Sequence, residues 1–252
     1  MEKTSPPFAA SHPWDHAFYL IWTTIAWISL LMGFGPLFLS HLAGKTPFLP
    51  WIVHVHAAVF FGWMILFTVQ IWLIKSKRAA LHMRLGMTAA GLVPVMVVLG
   101  LITNYVMRRY HFAAGVEEAN FTIVIFMDLL LFGVLAWFGL AQRKSPATHK
   151  RLMLMTTAVL LPVGFARWIG PMFPFLWGGT AQHASVYDTV RTGWVCYDLM
   201  IVALIVYDVV TRRRIHPVFL PGFAFVLVSQ IITNQIFWWP AWLPIAKWLN
   251  GI

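Results

Sequence analysis

An all-α bundle of seven membrane-spanning helices, forming a single transmembrane domain over residues 1–252, is the architecture that three features of this sequence predict. Sixty per cent of the residues are hydrophobic and only ten per cent charged, with a mean hydropathy of +0.75, which suits a chain dissolved in lipid rather than water. Apolar runs of about 20 residues recur along the chain, each long enough to cross a hydrocarbon core of about 30 Å. The basic residues gather in alternate connections, as membrane topology demands.

The runs are read in order as 19–39, 51–74, 85–106, 121–140, 152–169, 193–210 and 218–239. Short loops join them and leave no room for a soluble domain. The first run is long enough to remain as an anchor, and no cleavable leader is expected ahead of it. Lys75, Lys77, Arg78 and Arg84 flank the second connection, Arg143, Lys144, Lys150 and Arg151 the fourth, and Arg212, Arg213 and Arg214 the sixth. The first connection carries Lys45, and in the third Arg108 and Arg109 are offset by Glu117 and Glu118. This asymmetry predicts a cytoplasmic N-terminus, cytoplasmic even-numbered loops and an external C-terminus. The net charge of +10 is thus topological, with anionic lipid rather than nucleic acid as its partner.

Trp14, Trp22, Trp51, Trp168, Trp177, Trp238, Trp239, Trp242 and Trp248 fall near predicted span ends, as an aromatic belt at the bilayer interface would place them. Residues 240–252 read as an interfacial helix after Pro240. The Gly- and Pro-rich connection 171–183 is long enough to cover a pocket. The single cysteine, Cys196, rules out a disulfide framework and any cysteine-based metal cluster. Nucleotide-binding glycine loops, a serine nucleophile elbow and an HExxH motif are absent, and the seventh span has no lysine for a retinal Schiff base.

Two layers of polar residues stand out once position is converted to depth. His82, His149 and His216 fall at one fixed interval, 67 residues apart, each after a basic loop and before an apolar run. A fixed period suggests one hairpin unit used repeatedly, which would ring the cytoplasmic face with histidines. His16 is the candidate for the first span, although strict extrapolation lands on Asp15. In the opposite layer lie His54 and His56 on span two, Asn104 on span three, Asp128 on span four, Arg167 on span five, Asp198 on span six, and Gln230 and Asn234 on span seven. Ionisable groups at such depth cost a few kcal/mol unless they face the bundle and pair. His54 and His56 point about 200° apart on a regular helix, so only one can face a given site. His56 precedes His82 by a helical path of about 39 Å, which separates the layers. Asp208, near the cytoplasmic end of span six, reads as an interface residue.

Each layer admits several readings. The histidine ring is interfacial, an anion site at helix N-termini, or a source of axial haem ligands. The outer layer is a buried ion pair of Arg167 with Asp128 or Asp198, a metal site for Zn, Mn or Fe built from His54 or His56 with Asp128 and Asp198, or a proton-accepting site for a quinol. His82-Met-Arg-Leu-Gly86 resembles the His-x-x-Leu-Gly element of the transmembrane ascorbate-dependent cytochrome b family. The likeness covers spans two to five and implies a haem b clamped by His82 and His149, with His216 as a third cofactor-binding candidate. A second, outer haem would need His111, His183 or Met107, because span four has no histidine. The runs 149–153 and 159–168 also resemble bacterial multi-span membrane proteins, and a bacterial inner membrane is the expected location.

Membrane electron transfer is therefore the expected function. The outer residues His56, Asp128, Arg167 and Asp198 would serve a quinol or small lipid-soluble reductant, and a membrane redox partner would exchange electrons with the haem. The alternatives are a metal-dependent enzyme acting on a lipid or isoprenoid, with a metal-bound water doing the chemistry, and a carrier for a small solute at the same residues.

Overall fold

The computed structural model describes residues 8–9, 11–45, 47, 49–116, 118–172 and 186–252. Trp177, His183, Glu117 and nearly all of the 171–183 connection lie outside the described residues. Ten α-helices run through the rest: α1 (Asp15–Leu42), α2 (Trp51–Lys75), α3 (Ala79–Gly86), α4 (Thr88–Ala113), α5 (Thr122–Ala141), α6 (Pro146–Ala158), α7 (Pro162–Trp168), α8 (Val186–Arg212), α9 (Phe219–Trp238) and α10 (Trp242–Asn250). The described residues contain no strand.

Among the described residues, six helical segments are individually long and apolar enough to cross a membrane, with α3 and α4 counting together as one of 35 residues. A seventh arises only if α6 and α7 are taken as one span bent by 40°. The protein is thus all-helical and multi-pass. Its surface agrees, since Leu220, Trp51 and Trp137 are more than 70% exposed, which water would penalise and lipid tails do not.

Span five departs from the continuous helix expected over 152–169, and the cause is local. Pro162 has no N–H to donate to the Ala158 carbonyl, and its ring crowds that carbonyl. The chain tightens instead, with the Leu161 N–H donating to the Ala158 carbonyl at 2.9 Å. Thr156 and Thr157 donate their hydroxyls to the Leu152 and Met153 carbonyls at 2.8 and 3.0 Å, a pattern that bends helices.

The α5 helix runs through the centre, with Leu131, Phe132 and Ala136 at most 1% exposed. It packs against α4, α6 and α9, while α7 is held between α1 and α8. In lipid, burial of apolar surface does not itself drive helices together, so close van der Waals contact between small residues must. Glycines supply it here. A Cβ on Gly33 of α1 would meet the Gly164 carbonyl oxygen at 2.6 Å, and one on Gly164 of α7 would meet the Ser29 hydroxyl at 2.5 Å. Gly193 of α8 leaves no room for a Cβ against the Pro162 carbonyl. The break in span five is therefore filled by the backbones of its neighbours.

Two tryptophans expected at the interface are core residues instead. Trp22, 3% exposed, donates its indole N–H to the Met200 carbonyl at 3.3 Å. Trp242, 7% exposed, donates to the Asn120 carbonyl at 3.2 Å. The α10 helix folds back onto the ends of α4 and α5, where the Asn250 amide donates to the Thr122 hydroxyl at 2.7 Å. Gly251 ends α10 with a φ of 64°, the left-handed cap for which glycine is suited.

The glycine contacts give a first prediction. An alanine at an ordinary helical glycine stabilises by up to about 1 kcal/mol, but Gly164→Ala should destabilise by about 1–3 kcal/mol because the added methyl overpacks the α1–α7 contact. Gly91→Ala, in open space on α4, should be neutral or stabilising. Thermal unfolding in detergent compares the two, and a Gly164→Ala protein as stable as wild type would contradict the close α1–α7 approach.

Candidate functional site

The connections α2–α3, α5–α6 and α8–α9 lie together with the residues preceding α1 at one end of the bundle, here the basic end. Of the three periodic histidines, the fold brings two together. The rings of His82 and His149 stand 6.3 Å apart between centroids and nearly perpendicular, at 84°. Each is set against the helix before it in its own hairpin. His149 Nδ1 donates to the Gly139 carbonyl at 2.7 Å, which fixes the proton on Nδ1 and leaves Nε2 with a free lone pair. His82 Nδ1 lies 3.4 Å from the Gln70 main-chain carbonyl, a long contact, and closer to the Gln70 side-chain amide.

His216 belongs elsewhere. Its Nδ1 accepts from the Val218 N–H at 3.2 Å, and its ring meets Phe8 edge-on at 4.6 Å. His16 is exposed. The periodic histidines thus form a pair and an outlier rather than a ring.

Beside His216 sits the most polar part of the basic end. Arg151, 2% exposed, makes a two-pronged ion pair with Asp208: Nε donates to Oδ2 at 2.6 Å and Nη2 to Oδ1 at 2.5 Å. Its remaining nitrogen donates to the Ala147 carbonyl. Asp208 is likewise 2% exposed, so the interface position expected from sequence is corrected to a buried tie between α6 and α8. One turn on, Asp15 accepts from Lys150 at 2.8 Å, Tyr207 at 2.8 Å and Arg212 at 2.9 Å. Phe8 covers the cluster, with the guanidinium carbons of Arg151 and Arg214 at 4.5 and 4.9 Å from its ring centre.

His216 lies in the α8–α9 connection at the edge of this cluster. Burial, then the positive charge of Arg151, holds its imidazole down at about 4. Little water reaches the ring, 7% exposed, although it lies at the edge of the molecule.

At the opposite end, the residues expected to converge divide into two groups. His56 is half-buried and stacks on Phe60 at 4.0 Å, with Nδ1 buried and lacking a hydrogen-bond partner. Within its electrostatic reach is Arg167, whose guanidinium lies 4.4 Å over the Phe34 ring and donates to the Val163 carbonyl at 2.9 Å. His54, two residues along α2, is exposed, as the 200° separation requires. The pairing of Arg167 with Asp128 or Asp198 is not formed; the buried arginine–aspartate pairs among the described residues lie at the basic end, Arg151–Asp208 and Arg212–Asp15.

The second group spans α5, α8 and α9. The Gln230 amide donates to the Tyr197 hydroxyl at 2.7 Å and to both Asp198 carboxylate oxygens at 3.1 Å. Tyr197, fully buried, lies within electrostatic reach of Asp128 as well as Asp198. The buried Trp194 indole N–H points toward Asp128 without closing a bond of ordinary geometry. Tyr187 donates to Asn234 at 3.2 Å. Asn104 is buried on α4 with its Oδ1 unpartnered.

Among the described residues, no three His, Cys, Asp or Glu side chains come together in a way that could hold a metal ion. The set of His54, His56, Asp128 and Asp198 is therefore not assembled into one centre. His111, a candidate second haem ligand, is instead bonded to Glu118 at 2.8 Å, which also takes Arg108. No protein-family model matches the sequence, and no curated protein or solved structure matches it.

Two predictions follow the basic-end geometry. Removing one partner of a buried ion pair strands the other charge, so Arg151→Met or Asp208→Leu alone should each cost about 3–5 kcal/mol, while the double change recovers much of the loss. Unfolding of the three variants in detergent tests this, and single changes no worse than the double would break the pairing. For His216, the folded ring resists a proton that the unfolded chain takes up near 6.5. Its contribution is present above that value and fades as pH falls from about 6.5 toward 4. His216→Phe should accordingly lose less stability than wild type across that window, read as the difference in melting temperature between the two pH values.

Proposed function

We propose that this chain is a seven-span protein of the bacterial inner membrane, N-terminus inside, that transfers electrons through one haem b carried between His82 and His149. The observation that carries the reading is the close approach of the two rings. Two imidazoles bound to one metal atom at about 2 Å each would stand about 6 Å apart between centroids; here the separation is 6.3 Å. The bond from His149 Nδ1 to the Gly139 carbonyl is the outer-shell contact that metal-bound histidines commonly make, and it leaves Nε2 available.

The number of ligands favours haem over a bare ion. Zinc seeks about four protein or water ligands, and the described residues bring no third ligand to the pair. A porphyrin supplies most of the ligands to its own iron, and His82 and His149 would supply the rest. Bound there, it would supply one-electron chemistry that no side chain offers. What the chain contributes is position. The α2–α3 and α5–α6 hairpins hold the two rings, and the low-dielectric helices around them would tune the potential. The lysines and arginines of the adjoining loops suit anionic groups and an acidic redox partner.

A quinol or other lipid-soluble reductant is assigned to the opposite end. There Asp128, Asp198 and Tyr197 offer oxygens for protons, while His56 and Arg167 form a separate aromatic-walled group. The carrier reading draws on the broken span, since transporters use discontinuous helices. In this bundle, however, Gly193 and Gly164 close the break by backbone contact.

The test is a reduced-minus-oxidised absorbance spectrum of protein purified with haem available. Wild type should show the sharp α band of a bis-imidazole haem at about one per chain. His82→Ala and His149→Ala should abolish it, while Asp198→Asn and His216→Phe retain it. A colourless wild type, or a band that survives both histidine changes, would overturn the proposal.

A further inference from the structure

Arg167 carries its charge on α7 without a carboxylate partner among the described residues. Gly164 sets its place. That residue packs against Ser29 and Gly33 of α1, and Arg167, three positions further along, lies on the same side of the helix. Its side chain therefore also reaches α1, where the guanidinium covers the Phe34 ring at 4.4 Å. A long cationic side chain near the end of a span usually extends toward the headgroups. Arg167 turns the other way, and its Nη1 donates to the Val163 carbonyl, one turn deeper, at 2.9 Å.

The acids that could neutralise it are engaged elsewhere. Asp15 and Asp208 serve the basic end, Glu118 takes Arg108 and His111, and Asp188 lies with Arg191. Asp198 is held by Gln230. A permanent charge at this depth needs a counter-charge, and the described residues bring none.

Arg167 is nonetheless exposed, and its neighbours show to what. Val163 is 37% exposed, Phe38, one turn along α1 from Phe34, is 63% exposed, and Leu31, one turn the other way, is 55% exposed. The guanidinium thus opens onto an apolar surface that faces lipid. Beside it, Phe61 of α2 meets Phe34 at 6.3 Å, and His56 stacks on Phe60 at 4.0 Å. The His56 ring turns Nδ1 into the protein and leaves Nε2 as its open nitrogen. Two polar groups able to donate hydrogen bonds therefore stand at one aromatic wall, and neither has an acidic partner.

We propose that Arg167 and His56 form the seat of an anionic phospholipid, whose phosphodiester takes the place of the missing carboxylate. After the bond to Val163 the guanidinium keeps most of its N–H donors, in a planar fork that matches two phosphate oxygens. His56 adds a further donor through Nε2. The acyl chains would run past the exposed Leu31, deeper on the same face of α1. A phosphate ion dissolved in water lacks that approach, because the surface around Arg167 is apolar. Net charge separates the ligand from phosphatidylcholine, whose phosphate already has a cation of its own. The seat lies at the opposite end from His82 and His149 and does not depend on haem.

Native mass spectrometry of delipidated protein in detergent, titrated with phosphatidylglycerol, tests the seat. Wild type should bind a first lipid more tightly than those that follow, which the basic loops would collect loosely. Arg167→Gln should weaken that first lipid about tenfold or more, and His56→Gln should weaken it by a smaller factor. Lys45→Gln, which removes the same charge from an exposed position at the same end, should leave it unchanged. Arg167→Lys keeps the charge without the fork and should fall between wild type and Arg167→Gln; it serves alone if the glutamine variant does not fold. Phosphatidylcholine of the same chain length should bind more weakly, and inorganic phosphate should not displace the lipid.

A first-lipid affinity unchanged in the Arg167 variants overturns the proposal, and so does an equal loss in Lys45→Gln. Phosphatidylcholine held as tightly as phosphatidylglycerol overturns recognition by net charge. Displacement by inorganic phosphate overturns the lipid as the source of the anion.

Discussion

Lipid offers polar side chains no partner, and that single constraint sorts the ionisable groups of this bundle. Any charge that stays on an apolar helix must be satisfied from within the protein. The clearest outcome is the Arg151–Asp208 pair, in which both side chains are almost wholly removed from the surface and every described contact of the guanidinium is to protein. Asp15, Lys150, Tyr207 and Arg212 extend it to the first helix, so three spans are tied at one level. At the other end the same demand is met more weakly, by Gln230 between Tyr197 and Asp198 and by an indole that only faces Asp128.

Much of this was legible in the sequence. The runs of apolar residues locate every long helix, because hydropathy over about 20 residues reports what a bilayer accepts. Some helices, α1 and α8 above all, extend beyond their runs, since helical hydrogen bonding continues past the hydrocarbon edge. The break in span five escapes because averaging over the run hides one residue, although Pro162 was there to be seen. Trp22 and Trp242 were misplaced for a related reason: position along a helix gives depth but not facing, and both turn inward to main-chain carbonyls.

The candidate site was legible only in part. The 67-residue interval picks out His82 and His149, which the fold does bring together, but also His216, which it does not. Spacing cannot distinguish them, because the distinction lies in what each ring leans on. Asp208 and Arg151 escaped because each, taken alone, looks like an ordinary residue at a membrane face; only their mutual geometry makes them core.

The short helix α6 has a consequence for how the protein is made. It is 13 residues long and carries His149, Lys150 and Arg151 in its opening turns, so it lacks the length and the apolar character that let a nascent segment partition into the bilayer unaided. Its carboxylate partner, Asp208, is synthesised 57 residues later. Until α8 emerges, Arg151 has no carboxylate partner, and the break has only the α1 side of its glycine contacts in place. Membrane integration of this region is therefore a joint event: the ribosome delivers the two pieces separately, and they become stable in lipid only as a unit.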